Sequence, residues 1–333
     1  LLKYDMFYLV YRNILFILMR TTILVGGQAV IEGVMMRVPG AYATAVRTKD
    51  GEIKIDYHPF ESMISRYNFL SLPILRGMIH LYESMKIGYG TLQWSAEISE
   101  PDTNKPNKFL DTILSLLSIL FAVGLFFALP LLSADFFLHY IGNSEDTFIF
   151  NIISGITRIS LFLIYLISIS FLKDIHRLFQ FHGAEHKTVY NFESGQNLNI
   201  DNAQSFSKEH PRCGTSFVFI VMLVSIFSFT IIDSIIMAIF SLTELTVVTR
   251  LLFHIPCIPL VAGFSYEVLK IIAKYQKYFL FQIFAYPGLL LQRITTQNPD
   301  NSQLEVAISA LKNAFGDKLS NYKGKEFNAD AIG

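Results

Sequence analysis

The chain has 333 residues, 52% of them hydrophobic and only 16% charged, with thirty Phe and a mean hydropathy of +0.42. Soluble domains carry about 25% charged residues, so this balance excludes an ordinary water-soluble globule and points to lipid. A formal net charge of zero leaves no basic footprint for nucleic acid, and two cysteines, Cys213 and Cys257, are too few for a disulfide framework.

Residues 1–19 are apolar but broken by Lys3, Asp5 and Arg12, and carry no small-residue cleavage site. They read as an interfacial helix or a start-site extension, with Met19 as the start. Residues 20–98 are expected as a cytoplasmic unit. Within it, GGQAVIEGVMMR (26–37) matches neither a P-loop nor a dinucleotide fingerprint. Its glycines predict tight turns or close backbone approach, and Glu32 is either structural or directed into a site. Residues 41–60 alternate apolar and polar around Lys49-Asp50-Gly51, which predicts a β-hairpin. From Ile64 to Glu97 apolar residues recur at helical spacing among Arg66, Arg76, His80, Glu83 and Lys86. That pattern predicts an amphipathic helix lying on the membrane or packed on the spans. Residues 99–108 form a polar, Pro-containing linker.

Residues 109–275 read as a four-span bundle, since a span needs about 20 mainly apolar residues. The uncharged run between Asp111 and Asp135 is the first span. The second covers 148–172, with Arg158 expected to snorkel outward. The third covers 215–242 and is uncharged until Asp233; the fourth, 251–272, is interrupted by His254, Pro256, Pro259 and Glu267. The loops 134–147 and 243–249 lack Lys and Arg, whereas 173–214 carries Lys173, Arg177, Lys187, Lys208 and Arg212. Basic residues are retained in the cytoplasm, so both termini and the loop 173–214 are expected inside, in a multi-pass protein of the cytoplasmic (inner) membrane. Residues 276–333 are a cytoplasmic tail, with an amphipathic helix at 300–314 and a frayed end from Lys318. The fold class is therefore a mainly α-helical polytopic membrane protein, with about four spans and a small cytoplasmic α/β part. No internal repeat is evident.

The chemistry concentrates in His182-Gly183-Ala184-Glu185-His186. On a helix, residues four apart share a face, so both imidazoles reach one divalent ion, zinc by the H-x-x-E-H spacing, with Glu185 as general base. The same side chains equally suit a hydrogen-bonded polar cap just past the second span. Glu267 emerges at the same membrane face, where it serves either as a third metal ligand or as a salt-bridge partner of Lys270 or Arg177. His210 and Cys213, just before the third span, are second-tier candidates for ligation or nucleophilic chemistry; tight helix entry is the alternative. Asp174 and His176 are either supporting partners of the histidines or plain interfacial residues.

GGQAVIEGVMMR, FHGAEHKTVYNFESG, HPRCGTSF, SYEVLK and YPGLLLQRITTQNPDNSQLEVAISAL occur in this order. Over residues 25–311 the chain thereby resembles the YqhQ-like family (domain of unknown function 1385), described as predicted metal-dependent membrane proteins; it departs from that family in its N-terminal extension. The resemblance implies a metal at His182, Glu185 and His186. Two functions follow as expectations. One is a metal-dependent hydrolase at the cytoplasmic face, acting on a lipid-linked molecule, a peptide or a membrane-protein segment. The other is a non-catalytic scaffold or assembly factor that organises a partner protein there. A transporter is less suited, because spans one and three carry few polar side chains and no paired broken helices.

Overall fold

Two hairpins in succession build the only sheet among the described residues, a four-stranded antiparallel one in the order β1-β2-β3-β4. The computed structural model describes residues 25–100, 108–141, 146–210, 213–275, 278–322 and 324. The expectations for residues 1–19, for most of the linker and for the frayed end beyond 324 lie outside these. The hairpin expected in 41–60 is β3 (Ala41–Arg47) with β4 (Ile53–Pro59), turned at Gly51 with φ 87°. The segment read only as glycine turns is a second hairpin, β1 (Gly26–Val30) with β2 (Gly33–Val38), whose turn holds Glu32 at φ 52°. Val34, Met35, Met36 and Val38 are all buried, so both faces of β2 are covered and the alternation that betrays a strand is absent.

Helix α1 (Leu75–Ser99) begins later than the periodicity suggested, because Pro73 holds Leu72 extended. It crosses the fourth span where Gly77 meets Gly263; a Cβ on Gly77 would stand 2.9 Å from the Gly263 carbonyl. Its outer side exposes Tyr82, Met85 and Tyr89. Among the described residues, four helical stretches are long and apolar enough to cross a bilayer, 112–141, 147–170, 214–240 and 247–272. The first joins α2 (Lys108–Val123) to α3 (Leu129–Ile141) through a π turn at Gly124–Ala128. The others are α4 (Thr147–Ser170), α7 (Gly214–Phe240) and α8 (Val247–Lys274). Between α4 and α7 lie α5 (Lys173–Glu193) and the short α6 (Ile200–Gln204). After α8 come α9 (Phe279–Thr295) and α10 (Asn301–Phe315).

Arg158 does not snorkel. Pro130 has no N–H to offer the carbonyl four residues back, and that carbonyl, Phe126, accepts Arg158 Nε at 2.9 Å. The guanidinium lies buried between the rings of Phe127 and Phe229. Further along the bundle, fully buried Asp233 pairs with Arg250 and accepts from Asn151 Nδ2 and His254 Nε2, both at 2.8 Å. One carboxylate thus fastens α4, α7 and α8 together.

The tail is not loose. Asp300 caps α10 in a capping box with Gln303, and α10 buries Leu304, Ala307, Ile308 and Leu311. Helices α5 and α10 lie side by side on one face of the sheet, α5 beneath β1 and α10 beneath β2 and β3. Helix α9, unexpected in the tail, packs on α7; a Cβ on Gly288 would stand 2.6 Å from Ser216 Oγ.

Candidate functional site

Helix α5 is polar in sequence yet buried from Gly183 to Val189, because chain crosses it on several sides. The residues after α9 pass so close at Gly183 that a Cβ there would sit 2.0 Å from the Gln297 carbonyl, and Gln297 N donates to Phe179 O at 2.8 Å. That crossing explains the glycine inside the His-x-x-Glu-His motif. It also brings the Thr295 carbonyl to His182 Nδ1, 2.8 Å away. His186 Nδ1 likewise meets the Lys208 carbonyl.

A carbonyl only accepts, so each Nδ1 must carry the hydrogen, and in the neutral rings each Nε2 keeps its lone pair. Carbonyl-anchored histidines of this kind are the usual arrangement behind metal ligation. His182 Nε2 lies 3.2 Å from Cys213 Sγ, and ligand atoms of His182, His186 and Cys213 all fall within 4.8 Å of one another. A tetrahedral zinc site sets its ligand atoms about 3.3–3.8 Å apart, so small rotations close the set on one ion. The donors, two imidazoles and a thiol, are those zinc takes. Glu185, buried, stands beside them with Oε2 3.4 Å from His186 Nε2. These four side chains line a cavity of about 120 Å³ with Val25, Gly26, Gly27, Val189, His210 and Gly214.

Cys213 is presented by the entry to α7, of which it is the N-cap residue, its own side chain making no capping bond. Gln292 on α9 fixes this entry. It is fully buried and holds both backbone groups of His210: Nε2 donates to the carbonyl at 2.8 Å, and Oε1 accepts from the N–H at 2.7 Å. Two lysines secure the preceding loop. Lys187 donates to the Gln204 and Phe206 carbonyls, and Lys208 to the Thr296 carbonyl. Burial pushes the pKa of both ammonium groups below the ordinary lysine value.

The structure thus brings together His182, Glu185, His186 and Cys213, with His210 at the margin. The His210 ring centre is 5.5 Å from that of His186, and its Nε2 lies 3.9 Å from buried Glu193. Glu267 is not in this group. Arg76 Nε donates to it at 2.7 Å and the Ile74 N–H at 3.3 Å, so its charge is neutralised by α1 rather than by an ion shared with the histidines. Its close ion-pair partner is Arg76 rather than Arg177. Glu32 pairs with Arg177, whose pKa that hydrogen bond raises, at the turn of β1 and β2. Asp174 and His176 are exposed on the first turn of α5. Sequence reasoning missed Gln292, Thr295 and the carbonyl of Lys208. A backbone carbonyl leaves no mark in a sequence, and Gly183 was the one available sign of a close crossing.

A family model described as "Protein of unknown function (DUF1385)" matches residues 72–317. The "Uncharacterized protein YqhQ" of Bacillus subtilis (strain 168) is 31% identical over 303 residues, covering 86% of this chain and 90% of that protein. No solved structure matches.

Proposed function

This chain belongs to the DUF1385 family, whose description carries no activity, and from the site itself we propose a metal-dependent hydrolase at the cytoplasmic face of the membrane. The observation that carries the reading is the carbonyl-locked pair His182 and His186 converging with Cys213 beside Glu185. The three side chains would hold a divalent ion, zinc by their chemistry, which when bound polarises a water or a carbonyl group. Glu185 takes the water's proton as its oxygen attacks the substrate, and returns it to the leaving group. Orientation is read from the Lys and Arg residues of 173–210 and of the N-terminal and C-terminal segments, which face the cytoplasm by the positive-inside rule.

Metal analysis of the purified chain in detergent tests this. Wild type retains about one zinc per chain, and His182→Ala with His186→Ala abolishes it; equal, substoichiometric metal in both sinks the reading. A scaffold is the second reading, supported by the way these histidines and Lys187 and Lys208 tie residues 204–208 and 295–296 to α5. A scaffold needs no base, so full cellular activity of Glu185→Gln alongside loss in His182→Ala would favour it.

A further inference from the structure

Strand β1 ends the sheet, with β2 as its one strand neighbour among the described residues. Its first residues, Gly26 and Gly27, and Val25 just before it line the same cavity as His182, Glu185, His186 and Cys213. Gly27 is exposed, and a Cβ there would meet Glu185 Cγ at 3.1 Å and the Met35 carbonyl at 2.1 Å. The strand itself therefore puts no side chain at Gly27 between this edge and Glu185. A Cβ on Gly26 would meet nothing within 4 Å. The strand is also held from behind. Gln28, pointing to the opposite face, donates through Nε2 to the Gly88 carbonyl and Thr91 Oγ1 of α1, both at 3.1 Å, and the Ile31 N–H donates to Ser95 Oγ at 3.2 Å.

A strand edge that is held in place and begins with two glycines, running into a cavity that contains a carboxylate and three metal-type donors, is suited to one class of substrate. We infer that the site takes an extended polypeptide segment, which joins the sheet as an added strand beside β1 and lays its scissile amide over Glu185. The inference rests on the hydrolase reading above and names its substrate class. An extended chain offers alternate N–H and C=O groups to a strand about 4.8 Å away, and thereby gains main-chain hydrogen bonds. An acyl chain has no group to exchange with such an edge. In the reaction, the water oxygen bonds to the amide carbon and the C–N bond breaks. The proton taken by Glu185 passes to the departing nitrogen, and the second water proton follows from the new carboxylic acid, leaving a carboxylate and an ammonium group.

The test uses the zinc-loaded full chain in detergent and three probes: p-nitrophenyl acetate, phosphatidylglycerol vesicles and a library of quenched fluorescent ten-residue peptides. The best-cleaved peptide is then N-methylated at each amide in turn. Expected is peptide cleavage with an alternating response: methylation at every second amide lowers kcat/KM about tenfold, while the amides between tolerate it. A flat response overturns the added strand. Zinc retention and ester hydrolysis with inert peptides overturn the substrate class while leaving the metal reading intact, and lipid release from the vesicles in that case assigns the site to lipid. Absence of both zinc and ester hydrolysis overturns the hydrolase reading, and this inference with it.

Discussion

Replacing Cys213 with Ala separates the set of donors the structure brings together from the set the sequence alone suggested. The thiol lies 3.2 Å from His182 Nε2 and 3.1 Å from Thr215 Oγ1 and makes no backbone capping bond to α7, so its removal takes away a donor and one weak sulfur hydrogen bond. Structural zinc sites with four ligands bind with about 10–16 kcal/mol, or roughly 3 kcal/mol per ligand. At about 1.4 kcal/mol per decade, Cys213→Ala weakens zinc binding by roughly a hundredfold or more. Competition with a chromophoric chelator measures this on the purified chain, and thermal unfolding of the metal-free protein checks that the fold is intact. Glu267→Gln serves as the counter-variant: it lies on Arg76, away from the donors, and leaves zinc affinity within about threefold. A Cys213→Ala affinity within that same margin, or a matching loss in Glu267→Gln, would refute the reasoning.

Glu185→Gln keeps the metal and the protein level but lowers turnover by about 10²–10⁴, the usual contribution of a positioned base, as read by single-substrate kinetics. Gly183→Ala drives a methyl group into the Gln297 carbonyl 2.0 Å away, so it costs about 1–3 kcal/mol by chemical denaturation and weakens zinc binding by shifting Thr295. Asp233→Ala leaves buried Arg250 without its carboxylate and destabilises the bundle by about 3–5 kcal/mol in detergent unfolding. Asp233→Leu combined with Arg250→Met recovers most of that loss, because both desolvated charges are then gone.

The sequence made some of this legible and left the rest hidden for identifiable reasons. The spans are runs of apolar residues that need no partner to be recognised, and the β3–β4 hairpin shows its alternation because β4 is largely exposed. His182, Glu185 and His186 share a helix face by spacing alone. Strand β2 was hidden by being covered on both faces, and α9 because Pro287 interrupts its pattern. Glu267 and Cys213 are both expected near the histidines, and Cys213 alone of the two joins them. What separated them was a partner 191 residues away, Arg76, which the turn at Pro73 delivers to the carboxylate. Pairings over such distances come from tertiary packing, and nothing in either local sequence encodes them.

The carbonyl of Thr295 that orients His182, and that of Thr296 that anchors Lys208, come from the far end of the chain. During synthesis the histidines, their carboxylate and the cysteine all leave the ribosome before Thr295, whereas Lys208, whose carbonyl holds His186, leaves ahead of the cysteine. A nascent chain stopped before α9 is complete has every side chain of the site but lacks the Thr295 carbonyl that orients His182. The final alignment of His182 therefore waits until α9 has been made, after all four long apolar helices of the described residues.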